Sequence, residues 1–408
     1  MKRALLHILL SAAVLFTTAA CLQSTLSDKT EGHGAAALSI QLLTEAGEVL
    51  DLTAVRVTVQ NKEMPFSYTI HPDAEGRAEL ELQPGRYGIT ASAYFPDTHI
   101  SANGGVADFL LAREGIVDET GRFIPAQLDI PLSVSVPGEL VFREIYYHGC
   151  STLEGAAYTK DRYLEIYNNT GAKGKTMYLD SLCIAALYPA NSTTGSNAWA
   201  GRDTIPVFQM IWVFPGDGQS YPLAPGQSAV VAAQAAVDHS GRCTSGLHLE
   251  RAHFGCHDAT LPGHEIAAGV TPMTMYMTGQ GTAWALSIHS PSVVLFKPEG
   301  GFRKYMDNAA LWERYAPGET SGTRYRHIAA SWILDGVDCS DSPAQSIKRL
   351  PVKVDASSAI MTSAHYSGKC ITRRLESVEN GIAFYRDTNN SAEDFLTDQT
   401  PAPRLKER

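Results

Sequence analysis

Two runs constrain this chain more than anything else in it: Leu140-Val141-Phe142-Arg143-Glu144-Ile145-Tyr146-Tyr147 and Tyr163-Leu164-Glu165-Ile166-Tyr167-Asn168. Both are dense in β-branched and aromatic residues, and turn-forming Gly or Asn follows each, which is how a strand pair reads. The stretch 138–169 therefore opens a β-domain, and everything before it is a leader plus an attached module.

From Ala36 the same logic gives strands with near-strict alternation: Ala37-Leu38-Ser39-Ile40-Gln41-Leu42, Ala54-Val55-Arg56-Val57-Thr58-Val59, Arg77-Ala78-Glu79-Leu80-Glu81-Leu82 and Arg86-Tyr87-Gly88-Ile89-Thr90-Ala91. Turns fall at Asp73-Ala74-Glu75-Gly76 and Pro84-Gly85. Short alternating strands with frequent turn signals define an antiparallel sandwich. It is expected over 36–135, closed by Gln127-Leu128-Asp129-Ile130-Pro131-Leu132, with 133–137 as linker. Beyond the opening pair, strands are expected over 176–184, 205–214, 228–233, 283–289 and 292–296, and either a short helix or irregular chain over 304–315. The fold class is all-β, two β-sandwiches, the second (138–408) elaborated by long loops.

The N-terminus carries an address. Lys2 and Arg3 precede an apolar run over 4–16, then Thr18-Ala19-Ala20-Cys21. A basic start, a short apolar stretch and small residues before the cleavage point make a secretory signal over 1–20. The run is too short to span a bilayer. A cysteine directly after the small residues points to lipoprotein processing, with Cys21 as the lipidated first residue and 21–35 as a flexible tether. The chain has 33 Lys and Arg against 43 Asp and Glu, a formal charge of −10. Losing Lys2 and Arg3 makes it more negative, which excludes nucleic acid as a partner, since that needs a positive footprint.

Six further cysteines, Cys150, Cys183, Cys243, Cys256, Cys339 and Cys370, form an even set that favours disulfides in an exported chain. No Cys-x-x-Cys spacing occurs, so thiolate zinc and dithiol redox sites are not expected. Cys243 and Cys256 close a short loop and are the first pair to expect.

The hairpin from Gly76 to Tyr87, Gly-x-Ala-x-Leu-x-Leu-x-Pro-Gly-x-Tyr, resembles carboxypeptidase-regulatory or transthyretin-like modules, which implies a spacer role. Val141-Phe142-Arg143-Glu144-Ile145-Tyr146-Tyr147, Tyr163-Leu164-Glu165-Ile166-Tyr167-Asn168, Leu179-Asp180 and a Pro-Gly turn before Val230-Val231-Ala232 resemble a lamin-tail-type domain, which implies an immunoglobulin-like sandwich. From about 140 to 404 the chain is similar to a family of Bacteroidetes lipoproteins of uncharacterised function. Asp238-His239, Ile333-Leu334-Asp335-Gly336-Val337 and Asp387-Thr388-Asn389-Asn390-Ser391-Ala392-Glu393-Asp394-Phe395 carry that resemblance. It implies an outer-membrane lipoprotein acting as a non-enzymatic binding module, partnered with a TonB-dependent β-barrel receptor or another envelope protein. A structural or adhesive envelope protein is the second reading. In a lamin-tail-like sandwich the first and late strands often pair, which suggests Cys150 with Cys370 and leaves Cys183 with Cys339.

Chemistry-bearing residues are densest at His248, Glu250, His253, His257, Asp258, His264 and Glu265. Two readings stand for this stretch. One is a divalent-metal site using His248, His253, His257 and Asp258, which would admit a metal-dependent hydrolase as a third function class. The other is a solvated loop pinned by a Cys243–Cys256 bridge. His-Glu-x-x-His is absent, as are nucleophile-elbow, phosphate-loop and dinucleotide motifs. Glu144 and Glu165 sit on neighbouring strands, where paired carboxylates serve acid–base chemistry or calcium. The lamin-tail resemblance makes them part of the fold, capping a turn or meeting Arg373 or Arg374. The segment 387–394 reads as a structural turn rather than a calcium loop. No catalytic residue and no cofactor other than that metal is expected.

Overall fold

A computed structural model describes residues 35–45, 48–191, 197–199, 202–278, 284, 286–342 and 347–407. The leader, Cys21 and the tether lie outside the described residues, except for Ala35.

The chain is all-β and built from sandwiches. In the first unit, β1 (Ala36–Leu43), β4 (Arg77–Leu82) and β9 (Gln127–Pro131) form a three-stranded sheet, β1 antiparallel to β4 and parallel to β9. The facing sheet runs β3 (Ser67–Ile70), β2 (Arg56–Asn61), β5 (Gly85–Phe95), β6 (Ile100–Ala112), β7 (Gly115–Val117) and β8 (Phe123–Ile124), with β10 (Ser133–Ser135) also on β6. Alternation puts Leu38, Ile40, Leu42, Val57, Val59, Leu80 and Tyr87 in one core between the sheets, as a period of two requires.

The second unit stacks two larger sheets. The first contains β15 (Ser228–Ala232), β12 (Tyr163–Asn168), β11 (Leu140–Tyr146), β19 (Cys370–Arg373) and β20 (Phe395–Gln399), in that order and antiparallel. The second contains β17 (Arg324–Ala329), β14 (Thr204–Val213), β13 (Cys183–Leu187), β16 (Ser292–Phe296) and β18 (Ile333–Ser340), again antiparallel. Leu140, Phe142, Leu164, Ile166 and Val231 from one sheet meet Ile184, Trp212, Val293, Leu295 and Val337 from the other. The outer faces are covered as well. Val294, Phe296 and Cys183 pack under Phe302 and Tyr305 of the short helix α1 (Phe302–Asp307), and Tyr146, Tyr163 and Val230 pack under Leu249 and Ala252. Burial on both faces explains why the opening runs are apolar almost throughout.

A bulge interrupts the β11–β12 register between Phe142 and Glu144. The extra residue resets the alternation, so Phe142 and Ile145 both enter the core while Arg143 and Glu144 do not. Of the expected strands, 205–214, 228–233 and 292–296 form, 176–184 is extended only at Met177–Tyr178 and from Cys183, and 304–315 holds the end of α1, a second short helix (Ala309–Trp312) and a strand over Glu313–Tyr315. The expected strand over 283–289 does not form: Trp284 and residues 286–289, the described ones among them, belong to no strand.

The two units touch through polar contacts. Arg56 pairs with Glu393, Asn103 Nδ2 donates to the Thr388 carbonyl at 2.6 Å, and the Arg386 guanidinium lies 5.0 Å over the Tyr94 ring.

Candidate functional site

The polar residues highlighted by the sequence are distributed over several places. Glu144 and Glu165 do oppose each other across β11 and β12, and both are buried. Their partner is not Arg373 or Arg374 but the bulged Arg143, whose guanidinium grips Glu165 at 2.5 and 2.6 Å and reaches Glu144 at 3.3 Å. Glu144 also accepts from Tyr163, Thr372 and the Ala402 N–H. Both carboxylates are consumed by structure. Tyr146, Tyr147, Tyr163 and Tyr167 are fully buried core residues rather than a binding face.

Arg373 instead holds a second buried group, with Asp335 at 2.7 Å, Asp387 at 2.9 Å and Asp394 at 3.6 Å. Burial pushes the Asp335 carboxyl up to about 6 and the Asp394 carboxyl up to about 8, against the pull of Arg373. Three carboxylates around one guanidinium cannot all ionise in a dry site without uncompensated charge. Asp394 accepts N–H groups from Thr388 and Asn390, so 387–394 is the structural turn the sequence indicates. A third network pairs Asp338 with Arg349 at 2.9 Å and Lys348 at 2.9 Å. Burial opposes ionisation there, yet Lys348 and Arg349 hold the Asp338 carboxyl below the usual range.

The His248–Glu265 stretch does not assemble the expected metal site. His253 Nδ1 accepts the Val230 N–H at 3.1 Å, tying the ring to the edge of β15. Asp258 bonds the Thr260 N–H and hydroxyl in its own turn. His264 bonds the Cys256 carbonyl at 2.7 Å and stacks on Trp212. Of the four expected ligands only His248 enters a ligand-like group, with Asp238 and Glu250, each 3.3 Å away. His253, His257 and Asp258 belong to no such group among the described residues. Chain density put these residues together in sequence, and local turns then pointed them in different directions.

All six cysteines are free and buried, and none of the three expected bridges is made. Cys183 sits opposite Phe296 while Cys339 follows Asp338, which sits opposite Ser292; the two therefore lie at opposite ends of β16. Cys370 faces Thr372, and Cys256 is packed in the main core. Cys150 and Cys243 instead converge on Asp161, whose Oδ2 accepts from Tyr146 and Ser245 at 2.7 Å and from Cys150 at 3.2 Å. Burial, with Asp161 beside it, pushes the Cys150 thiol up to about 11.

A different constellation, which no stretch of sequence displays, occupies one end of the second sandwich. His148 lies two residues past β11, Asp341 directly after β18, His289 just before β16 and His365 before β19. Each sheet thus contributes two residues. His365 Nε2 lies 3.0 Å from Asp341 Oδ2, His289 Nδ1 is 3.7 Å from the same oxygen, and His148 Nε2 is 3.9 Å from Oδ1. The His365 ring packs edge-on against both His148 and His289, with centroids 5.3 and 4.3 Å away. His148 is completely buried, yet neither of its ring nitrogens has a hydrogen-bond partner, nor does Asp341 Oδ1. The loop bearing His365 is braced by Asp398, which accepts from the Thr362 hydroxyl at 2.9 Å and the Ser363 N–H at 3.0 Å. Histidines at the ends of separate predicted strands were the available signal. It becomes readable only once the strand order is known.

This fold defines a class, all-β proteins of sandwich units in series, and comparison places it further. Residues 224–402, less than half of the chain, match a family model described as protein of unknown function (DUF4876). The chain is similar to the crystal structure of a DUF4876 family protein from Bacteroides thetaiotaomicron, at 24% identity and a TM-score of 0.58, over 90% of this chain and 96% of that one. That likeness shows a shared fold. A DUF3823 family protein from Bacteroides ovatus matches 48% of this chain and 98% of its own at 10% identity with a TM-score of 0.15, too low to carry an argument. No curated protein matches. The chain thus shares its fold with a DUF4876 protein and matches that family's model over residues 224–402, and neither comparison names an activity.

Proposed function

We propose that the protein is a lipid-anchored outer-membrane protein working as a non-enzymatic binding module, accessory to a TonB-dependent β-barrel receptor. The observation that carries this reading is the leader: Lys2-Arg3, a short apolar run and Thr18-Ala19-Ala20-Cys21 in front of a serial all-β fold. On this reading the first sandwich is a regulatory-like spacer and the second a lamin-tail-like unit that presents its loops. The structure supports the non-enzymatic part by one observation: the carboxylate pair best suited to acid–base work, Glu144 and Glu165, is tied up by Arg143.

The test is metabolic labelling with palmitate in a Gram-negative host. Label is expected in the full chain and absent from Cys21→Ala. Capture from native membranes should then recover a β-barrel partner. An unlabelled chain contradicts the anchor, and a labelled chain that captures no barrel but adheres to cells or matrix supports the adhesive alternative instead.

A further inference from the structure

We propose that the second sandwich binds one divalent transition-metal ion of the zinc class through His148, Asp341 and His365, with His289 at the fourth, solvent-side position. Two or three imidazoles and a single carboxylate form the donor set of zinc and its neighbours. Calcium and magnesium take oxygen cages instead.

The spacing suits such an ion. Ligands about 2.05 Å from a tetrahedral zinc stand roughly 3.3 Å from one another. The ligand atoms of His148, Asp341 and His365 all lie within 4.8 Å of each other, with the closest pair at 3.0 Å. Rotation of two rings closes the remainder.

Unmet bonding capacity points the same way. Buried polar groups are normally satisfied, and this protein follows that rule at its three arginine-held carboxylate clusters, where Arg143, Arg373 and Arg349 supply the partners. Here a fully buried imidazole has both nitrogens unpaired and aims one of them at a carboxylate oxygen that is also unpaired. Among the described residues no lysine or arginine pairs with Asp341, whose ionic neighbours are histidines alone. A cation is the missing partner.

Side-chain exposure rises from 0% at His148 through 24% at Asp341 and 33% at His365 to 47% at His289. That gradient gives an ion an entry path ending on a rigid ligand at a strand terminus. The other two ligand-like groups also carry unmatched atoms, Asp161 Oδ1 in one and His248 Nδ1 and Glu250 Oε2 in the other, but neither holds a fully buried imidazole with both nitrogens unpaired. Asp161 already accepts bonds from two hydroxyls and from the Cys150 thiol, which burial holds in its neutral form, and Asp238 is an exposed turn residue bonding Ser240.

The test uses the metal-free full chain, titrated with Zn(II) against a chromophoric chelator. One ion is expected at this site. Asp341→Asn and His365→Ala should each weaken binding by about a hundredfold or more, and His289→Ala by about tenfold. Asp238→Asn should leave it unchanged. Asp341 and His365 are partly exposed, so their variants keep the core, and far-UV circular dichroism checks this. Co(II) should give the visible bands of a tetrahedral nitrogen–oxygen site. Failure to compete with a micromolar chelator overturns the proposal. So does unchanged binding in the Asp341→Asn/His365→Ala double variant. Unchanged affinity in His289→Ala overturns the fourth ligand.

Discussion

The clusters around Arg373 and His148 lie in the same sandwich and hold similar numbers of polar groups, yet they are finished to different degrees. Around Arg373, every carboxylate has a cation and backbone donors, and Arg373 also bonds the carbonyls of Phe142 and Arg386. Around His148, the rings touch one another, yet both His148 nitrogens and Asp341 Oδ1 go unmatched. The difference teaches how to separate polar residues that specify the fold from those available to a ligand. A structural network closes on itself, whereas a binding site leaves bonding capacity aimed at a common point.

The largest effect should come from breaking the closed network. Arg373→Met leaves three carboxyl groups buried without their cation and is expected to destabilise the fold by about 3–5 kcal/mol, measured by chemical denaturation. A loss below about 1 kcal/mol would mean the network is not the structural tie it resembles. An intermediate effect concerns pH. The Asp394 carboxyl, pushed up to about 8, keeps its proton in the folded protein over a range where the unfolded chain, titrating near ~4, has lost it. The folded state binds more protons across that window, so stability should fall as pH rises from about 4 to about 8. Asp394→Asn should flatten this slope, and an unchanged slope would place the proton elsewhere. The smallest effect is expected at the open cluster. Without metal, His148→Phe replaces an unsatisfied ring by an apolar one of similar shape and should change stability by less than about 1 kcal/mol, or raise it. A cost approaching that of Arg373→Met would erase the contrast between the two clusters.

The frame of the second sandwich was legible in sequence because β11 and β12 concentrate aromatic and β-branched residues, and Glu144 and Glu165 do face each other as their positions suggested. The role of Arg143 was not legible, since a bulge determines it and ordinary alternation hides bulges. Ligand types cluster along the chain at His248–Asp258, but short turns direct their side chains to Val230, Thr260 and the local backbone. His148, His289, Asp341 and His365 are separated by long stretches of chain and meet only because β11, β19, β16 and β18 end on the same side of the sandwich. The cysteine pairing failed for a related reason. The short Cys243–Cys256 loop implied proximity, while the sheet places Cys243 with Cys150 and buries Cys256 in the central core.

One end of this sandwich is built for a metal ion, while the other buried polar groups are built for the fold. X-ray absorption at the zinc edge of the zinc-loaded full chain tests it most directly. The expected first shell is nitrogen and oxygen, with the outer-shell scattering of at least two imidazoles and no sulfur, and it should be lost in Asp341→Asn/His365→Ala. A shell containing sulfur would move the ion to Cys150 and Cys243 and contradict the account.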